Sequence, residues 1–224
     1  MPGRTIAIGD VHGCHTAFTA LLQMIQPTAE DTLVFLGDVV DRGPATKECI
    51  DTVIGLADQC TVISIMGNHE EIMRAALGGG EMMMEMWSQI GGLQALESYG
   101  GAIKNIPVPH LRWLTQLRSF YETETHIFVH ATLEPTMTMA NQHRDYLRWK
   151  KLGGNERPHI SGKRVICGHT PQADGFPLAF PGWVCIDTGA YRMKWLTALD
   201  VDTDHAWQAN EAGQTREFEL GKYQ

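Results

Sequence analysis

The sequence predicts an α/β fold, a four-layer αββα sandwich with mixed sheets, and three observations carry that expectation. Short apolar runs alternate with helix-periodic stretches through the first third of the chain, the pattern of right-handed crossovers between parallel strands. The middle is mainly helical. The second half returns to apolar runs, the last of them too closely spaced for crossovers.

Residues 5–8 read as a buried strand. Phe18, Leu21, Leu22 and Ile25 then fall at the 0, 3, 4, 7 spacing of a helix face, which Pro27 ends. Residues 32–36 form the second strand. Pro44 opens a second helix whose Ile50, Val53, Ile54 and Ala57 repeat that spacing. The β-branched run 60–66 is the third strand. Met83, Met86, Trp87 and Ile90 share one helix face, and Leu111, Leu114 and Leu117 line another. Further strands are expected at 127–129, 165–167, 183–186, 196–201 and 205–209, the last three as an antiparallel meander. No linker rich in Pro, Gly or Ser divides the chain, so one domain over 1–224 is expected, with a helical insertion around 78–120.

Composition narrows the function classes. With 224 residues, 43% hydrophobic and 20% charged, the chain can bury a full core and does not resemble a disordered or coiled-coil sequence. Its 18 Lys+Arg against 26 Asp+Glu leave a net charge of -8, which argues against binding nucleic acid through phosphate contacts. No apolar run is long enough for a membrane span, and the strand beginning at residue 5 leaves no room for a signal peptide. Cys14, Cys49, Cys60, Cys167 and Cys185 are odd in number and lack CxxC spacing, so buried thiols in a reducing cytoplasm are expected.

The polar residues just past the predicted strands carry the chemistry. Gly9-Asp10-Val11-His12-Gly13 follows the first strand, and Gly37-Asp38-Val39-Val40-Asp41-Arg42-Gly43 the second. Gly67-Asn68-His69-Glu70 follows the third, and His130 and Gly168-His169 follow later ones. Strand ends of an open α/β sheet converge on one rim, where ligands bind. Carboxylate, imidazole and carboxamide suit manganese, iron or zinc, and six such residues suit two ions sharing a carboxylate.

These segments resemble, motif for motif, the phosphoprotein phosphatase family of calcineurin-like metallophosphoesterases, in its compact bacterial branch. That family's pattern is GDxHG, GDxxDRG, GNHE, a later H and a later GH. The resemblance implies that Asp10 and His12 bind one metal, that Asp38 bridges both, and that Asn68, His130 and His169 bind the second. Two divalent ions are implied, manganese first, with iron or zinc accepted by the same ligands. Such a pair lowers the pKa of a shared water, so a metal-bridging hydroxide is expected to attack phosphorus in line.

His69 follows a ligand directly and is the candidate general acid, with Asp41 fixing its tautomer. Arg42 offers a planar fork to phosphate oxygens. Family members usually supply a second phosphate-binding Arg, for which Arg148 is chosen over Arg144. Glu70 is expected to serve the helix N-terminus or the surroundings of the site. His15, His110, His126, His143, His159 and His205 are read as satisfied or exposed side chains. The Met82-Met83-Met84 run with Met86 and Trp87 is read first as a helix packing on the sheet and second as an apolar wall beside the site.

The leading expectation is a serine/threonine protein phosphatase acting on a phosphorylated protein or peptide, or on a small phosphate ester. The alternative is a hydrolase of dinucleoside polyphosphates such as diadenosine tetraphosphate, or of other nucleotides. That branch shares GDVHGC but typically lacks the Asp before Arg in the second motif, and Asp41 is present here. A metal-holding phosphate binder without turnover is disfavoured by the intact Asp41 and His69.

Overall fold

A computed structural model of the chain describes residues 3–222. Strand β1 (Thr5–Ile8), helix α1 (His15–Ile25), β2 (Thr32–Phe35), α2 (Thr46–Leu56), β3 (Thr61–Ser64) and α3 (Asn68–Leu77) follow in the expected alternation. Next come α4 (Glu81–Trp87), α5 (Leu93–Ser98) and α6 (Val108–Gln116). The remainder holds β4 (Tyr121–Glu122), β5 (His126–Phe128), the short α7 (Arg144–Arg148), β6 (Arg164–Cys167), β7 (Leu178–Phe180) and β8 (Trp183–Cys185). β9 (Leu196–Asp200), β10 (His205–Ala209) and β11 (Thr215–Glu219) close the chain's regular structure.

Two mixed sheets result, one in the order β11-β10-β9-β1-β2-β3 and the other in the order β4-β5-β6-β8-β7. β1 to β3 are mutually parallel, as are β5, β6 and β8. Side-chain alternation builds the layers. Ile6 and Ile8 of β1, with Leu33 and Phe35 of β2, pack against Phe18, Leu21, Ile50 and Val53 of the helices. Ala7 and Val34, one residue out of phase, meet Phe128, Ile166 and Val184 of the second sheet. That sheet's outer face presents Ile127, Val165, Trp183 and Cys185 to Leu147 of α7 and to loop residues Leu133 and Leu152. The fourth layer is therefore one short helix and loops.

The C-terminal meander departs from expectation. It consists of β9, β10 and β11, whereas β8 lies in the other sheet, parallel to β6. The ten residues between β8 and β9 cross from one sheet to the other and include a 3-10 turn at Ala190–Arg192. β11 reads Thr-Arg-Glu-Phe-Glu, with Phe218 its one buried side chain, and so shows no apolar alternation. On α6 the buried face is His110, Trp113 and Leu114, and Leu111 is exposed. His110 bonds through its two nitrogens to Tyr99 Oη (2.9 Å) and Asp51 Oδ1 (2.8 Å), which turns that face inward. All five cysteines are buried and free. Among the described residues, no helix is long and apolar enough to cross a membrane.

Asp31 ties the starts of β1 and β2 together. Its buried carboxylate accepts hydrogen bonds from Arg4 Nη2 (2.6 Å), Arg4 N (2.9 Å) and Thr28 N (2.8 Å). The Arg4 guanidinium, helped by the two amides, holds Asp31 below the usual carboxylate range. Asp31→Asn is expected to cost about 2–3 kcal/mol by urea unfolding at neutral pH. Because the folded-state pKa is the lower one, this contribution is full above roughly pH 4 and drains as the pH falls through the folded value. The variant's deficit should therefore shrink in acid, and a deficit independent of pH would point to packing alone.

Candidate metal centre

Six strands end at one rim. β1 leads to Asp10 and His12, β2 to Asp38, β3 to Asn68, β5 to His130, β6 to His169 and β8 to Asp187. The first sheet supplies three of these exits and the second sheet the other three. His12, Asp38, Asp41, Arg42 and His169 all adopt positive φ, between 47° and 70°. Non-glycine residues do so at a cost of about 1–2 kcal/mol each, and such strain clusters at functional sites.

Buried hydrogen bonds hold the strained segments. The Glu70 carboxylate is fully buried and accepts from Asp38 N (2.9 Å), Val39 N (2.7 Å) and Gly67 N (2.9 Å). It thus caps the N-terminus of α3 and clamps the Asp38 loop with one side chain. Asp38 Oδ1 accepts from His69 N at 3.1 Å. At Gly67 a Cβ would overlap that same Oδ1, so the close approach requires glycine.

The ring orientations show what Asp38 faces. His130 Nδ1 donates to Leu36 O (3.0 Å) and His169 Nε2 to Trp149 O (3.0 Å), leaving His130 Nε2 and His169 Nδ1 as bare lone pairs. Those two nitrogens lie 3.1 Å apart, and His130 Nε2 is also 3.0 Å from Asn68 Oδ1 and 3.4 Å from Asp38 Oδ1. Four acceptors thus face one another with no proton to share. Such spacing fits atoms each about 2.1 Å from a common divalent ion. On the other side, His12 Nδ1 donates to Val40 O (3.0 Å), and its free Nε2 lies 3.5 Å from Asp38 Oδ2. The two oxygens of Asp38 therefore face different histidines.

Electrostatics agree with ligand roles. Burial pulls His12 well below its ordinary pKa and His130 down to about 4, and lowers His169 as well, so all three are neutral donors near pH 7. Burial, together with the charges of Asp187 and Asp38, pushes Asp10 well above the usual carboxylate range. Burial likewise carries Asp187 up to about 7, with Asp38 adding to it. Three buried carboxylates in one pocket call for a counter-cation. Asp10 also accepts the His169 amide, at 3.1 and 3.2 Å to its two oxygens.

His69 sits beside the ligand set with both nitrogens engaged. Nδ1 lies 2.8 Å from Asp41 Oδ2, and Nε2 accepts from Arg42 Nη2 at 2.8 Å. Arg42 also stacks on Tyr191, its Cζ 4.2 Å from the ring centroid. These groups border a cleft of about 100 Å³ that Asp10, His12, Asp38, Asp187 and three cations, Arg42, Lys151 and Arg192, all line. A larger cavity of about 380 Å³ between α2, β3 and α6 touches none of the expected site residues.

Nine of the ten expected site residues, Asp38 among them, lie together. Arg148 does not enter the cleft. It is buried against Glu71 (Nη1 to Oε1, 2.5 Å) and Ser119 Oγ (3.1 Å), and Lys151 takes the place at the rim. Arg144 is largely exposed, 3.3 Å from the same Glu71. Asp187, Lys151, Tyr191 and Arg192 escaped the sequence reading. Asp187 was detectable, because it follows a strand directly and precedes Thr188-Gly189, but it lacks the Gly that marks Asp10 and Asp38.

The profile of the calcineurin-like phosphoesterase family matches residues 3–173, well over half of the chain. The chain belongs to that family. Two relatives are named "Bis(5'-nucleosyl)-tetraphosphatase, symmetrical". This chain is 36% identical to the Burkholderia thailandensis protein over 74 residues, 33% of this chain and 26% of that one. It is 32% identical to the Nitrosomonas europaea protein over 136 residues, 60% of this chain and 47% of that one. The chain thus spans less than half of either relative. Its fold superposes on a solved structure described as a "putative diadenosine tetraphosphatase" with a TM-score of 0.69 and 19% identity, covering 97% of this chain and 94% of the other. A protein serine/threonine phosphatase from Saccharomyces cerevisiae gives a TM-score of 0.64 at 14% identity, covering 97% and 80%. At these identities the structural likeness is one of fold.

Glu70→Gln turns an amide NH2 toward backbone donors and leaves buried N–H groups unpaired. The expected result is a weakened Asp38 loop, with affinity for manganese reduced about 10–100-fold in metal titrations. Unchanged metal binding would show that the clamp is dispensable.

Proposed function

We propose that this phosphoesterase is metal-dependent and hydrolyses a dinucleoside polyphosphate of the bis(5'-nucleosyl)-tetraphosphate class. The observation that carries this reading is the set of three cations, Arg42, Lys151 and Arg192, along one cleft in a chain of net charge -8. A single phosphoryl group uses one or two such partners, whereas a polyphosphate spans all three. The printed names of the two relatives support the same substrate class.

Asp10, His12, Asp38, Asn68, His130 and His169 would hold two divalent ions, Asp38 serving both, with manganese the first choice and iron or zinc compatible with the set. When bound, such ions supply Lewis acidity at the phosphoryl oxygens and a water of lowered pKa. Arg42 turns its fork from His69 to the phosphate, still braced by Tyr191. Lys151 and Arg192 take the flanking charges. His69 then has Nε2 free for a proton. Burial works against the imidazolium, but Asp38 and Asp41 raise the His69 pKa above its ordinary value, as a proton donor requires.

A second reading, a phosphatase for phosphorylated proteins or peptides, is favoured by the Asp41–His69 pair itself. A nucleoside diphosphate leaves as a stabilised anion and hardly needs an acid, whereas a serine alkoxide does.

Steady-state rates on diadenosine tetraphosphate, a phosphoserine peptide and p-nitrophenyl phosphate separate the readings. The dinucleotide is expected to show the highest kcat/KM by at least about tenfold, and a peptide preference of that size would reverse the assignment. His69→Asn should lower kcat on the phosphoserine peptide by roughly 10²–10⁴ and on p-nitrophenyl phosphate far less. Equal losses on both substrates would remove His69 from the acid role.

A further inference from the structure

We infer that Trp87, at the end of α4 in the helical insertion, is a positioning residue that sets the acid His69 through Asp41. The inference rests on the acid role given to His69 above.

Asp41 and Trp87 are both fully buried. The two carboxylate oxygens of Asp41 have separate partners: Oδ2 meets His69 Nδ1 at 2.8 Å, and Oδ1 accepts the Trp87 indole N–H at 2.8 Å. The Asp41 backbone N–H donates to Thr46 Oγ1 at 3.0 Å, so the residue is fixed at both ends. A carboxylate bound through both oxygens cannot rotate about its last torsion, and the imidazole bonded to it keeps one orientation and one tautomer. Without the indole N–H, Oδ1 is a buried acceptor with no partner. Rotation of the carboxylate then carries His69 with it.

The segment after Trp87 reaches the same groups by a second route. Gly91 has φ +118°, and its carbonyl accepts Arg42 N at 3.2 Å. A Cβ on Gly91 would lie 2.5 Å from Arg42 N and 2.9 Å from Arg42 Cα. The stretch Ser88–Gly92 is a kink between α4 and α5, with the break in helical geometry at Gly91. Filling the core explains why an indole is buried here. It does not explain why its one polar atom is aimed at the carboxylate that orients the acid.

The test deletes the N–H and keeps the ring. Trp87→Phe is compared with the wild type, with His69→Asn and with the double variant, on a phosphoserine peptide and on p-nitrophenyl phosphate. Benzothienylalanine at position 87, which conserves the bicyclic shape and lacks the N–H, serves as a second variant should phenylalanine pack poorly. The expected result is a loss in kcat of about 10-fold or more on the peptide, under about threefold on the aryl phosphate, with KM and bound metal unchanged. In the His69→Asn background the same change should add nothing. Equal loss on both substrates, or an undiminished loss when His69 is absent, overturns the inference and leaves Trp87 a packing residue. Leaving-group discrimination in His69→Asn but not in the Trp87 variants defeats the inference alone. Discrimination in neither defeats the acid role and, with it, the inference.

Discussion

Around Asp38 the protein brings together atoms that can only accept. The lone pairs of His12, His130 and His169, the Asn68 carbonyl and the Asp38 carboxylate converge without a hydrogen between them, and the Asp10 and Asp187 carboxylates stand close by. Left to relax, such groups would turn apart. The fold prevents this by giving each imidazole a carbonyl partner on a different segment: Leu36 for His130, Val40 for His12, Trp149 for His169. None of these three imidazoles is oriented by its own strand alone. The exits of β1 and β5 therefore have to be in place together with the loop after β2, and Glu70, reaching from α3 into that loop, locks two of the exits to each other.

The parts of this arrangement legible in the sequence are those fixed by local rules. A strand exit marked by Gly and followed by Asp, Asn or His needs only a few residues to be recognised, and Asp10, Asp38, Asn68 and His169 stand at such exits. The first three strands were legible for a similar reason, since each is a short apolar run next to a helix of clear period. Asp187 was lost to a topological error. Placing residues 183–186 in a meander with 196–201 put that exit in the wrong sheet, and its carboxylate went unread. Only the parallel pairing of β8 with β6, within the second sheet, restores it.

Arg148 shows the opposite limit. Residue type and neighbourhood both suited a phosphate contact, but Glu71, distant in sequence, captures the guanidinium. No local pattern encodes such a pairing. Lys151, three residues later and past the end of α7, has no comparable partner among the described ion pairs and faces the cleft.

The helical segment α4–α6 joins packing to chemistry. Met82 and Met86 are 77% and 40% exposed, so the methionine run is not simply a core stripe, while Trp87 beneath it is wholly buried. An indole contributes on two scales at once: its area fills the space beside α3, and its N–H must find an acceptor because water cannot reach it. Asp41 has a spare oxygen for the matching reason, since His69 uses only one. Each of the two buried groups removes the other's penalty. His69 is thereby coupled to an element outside the sheet-rim motifs. The leaving group decides whether that coupling matters: an anhydride departs without a proton, an alkoxide does not, and the same cleft offers cations to the first and a braced imidazole to the second.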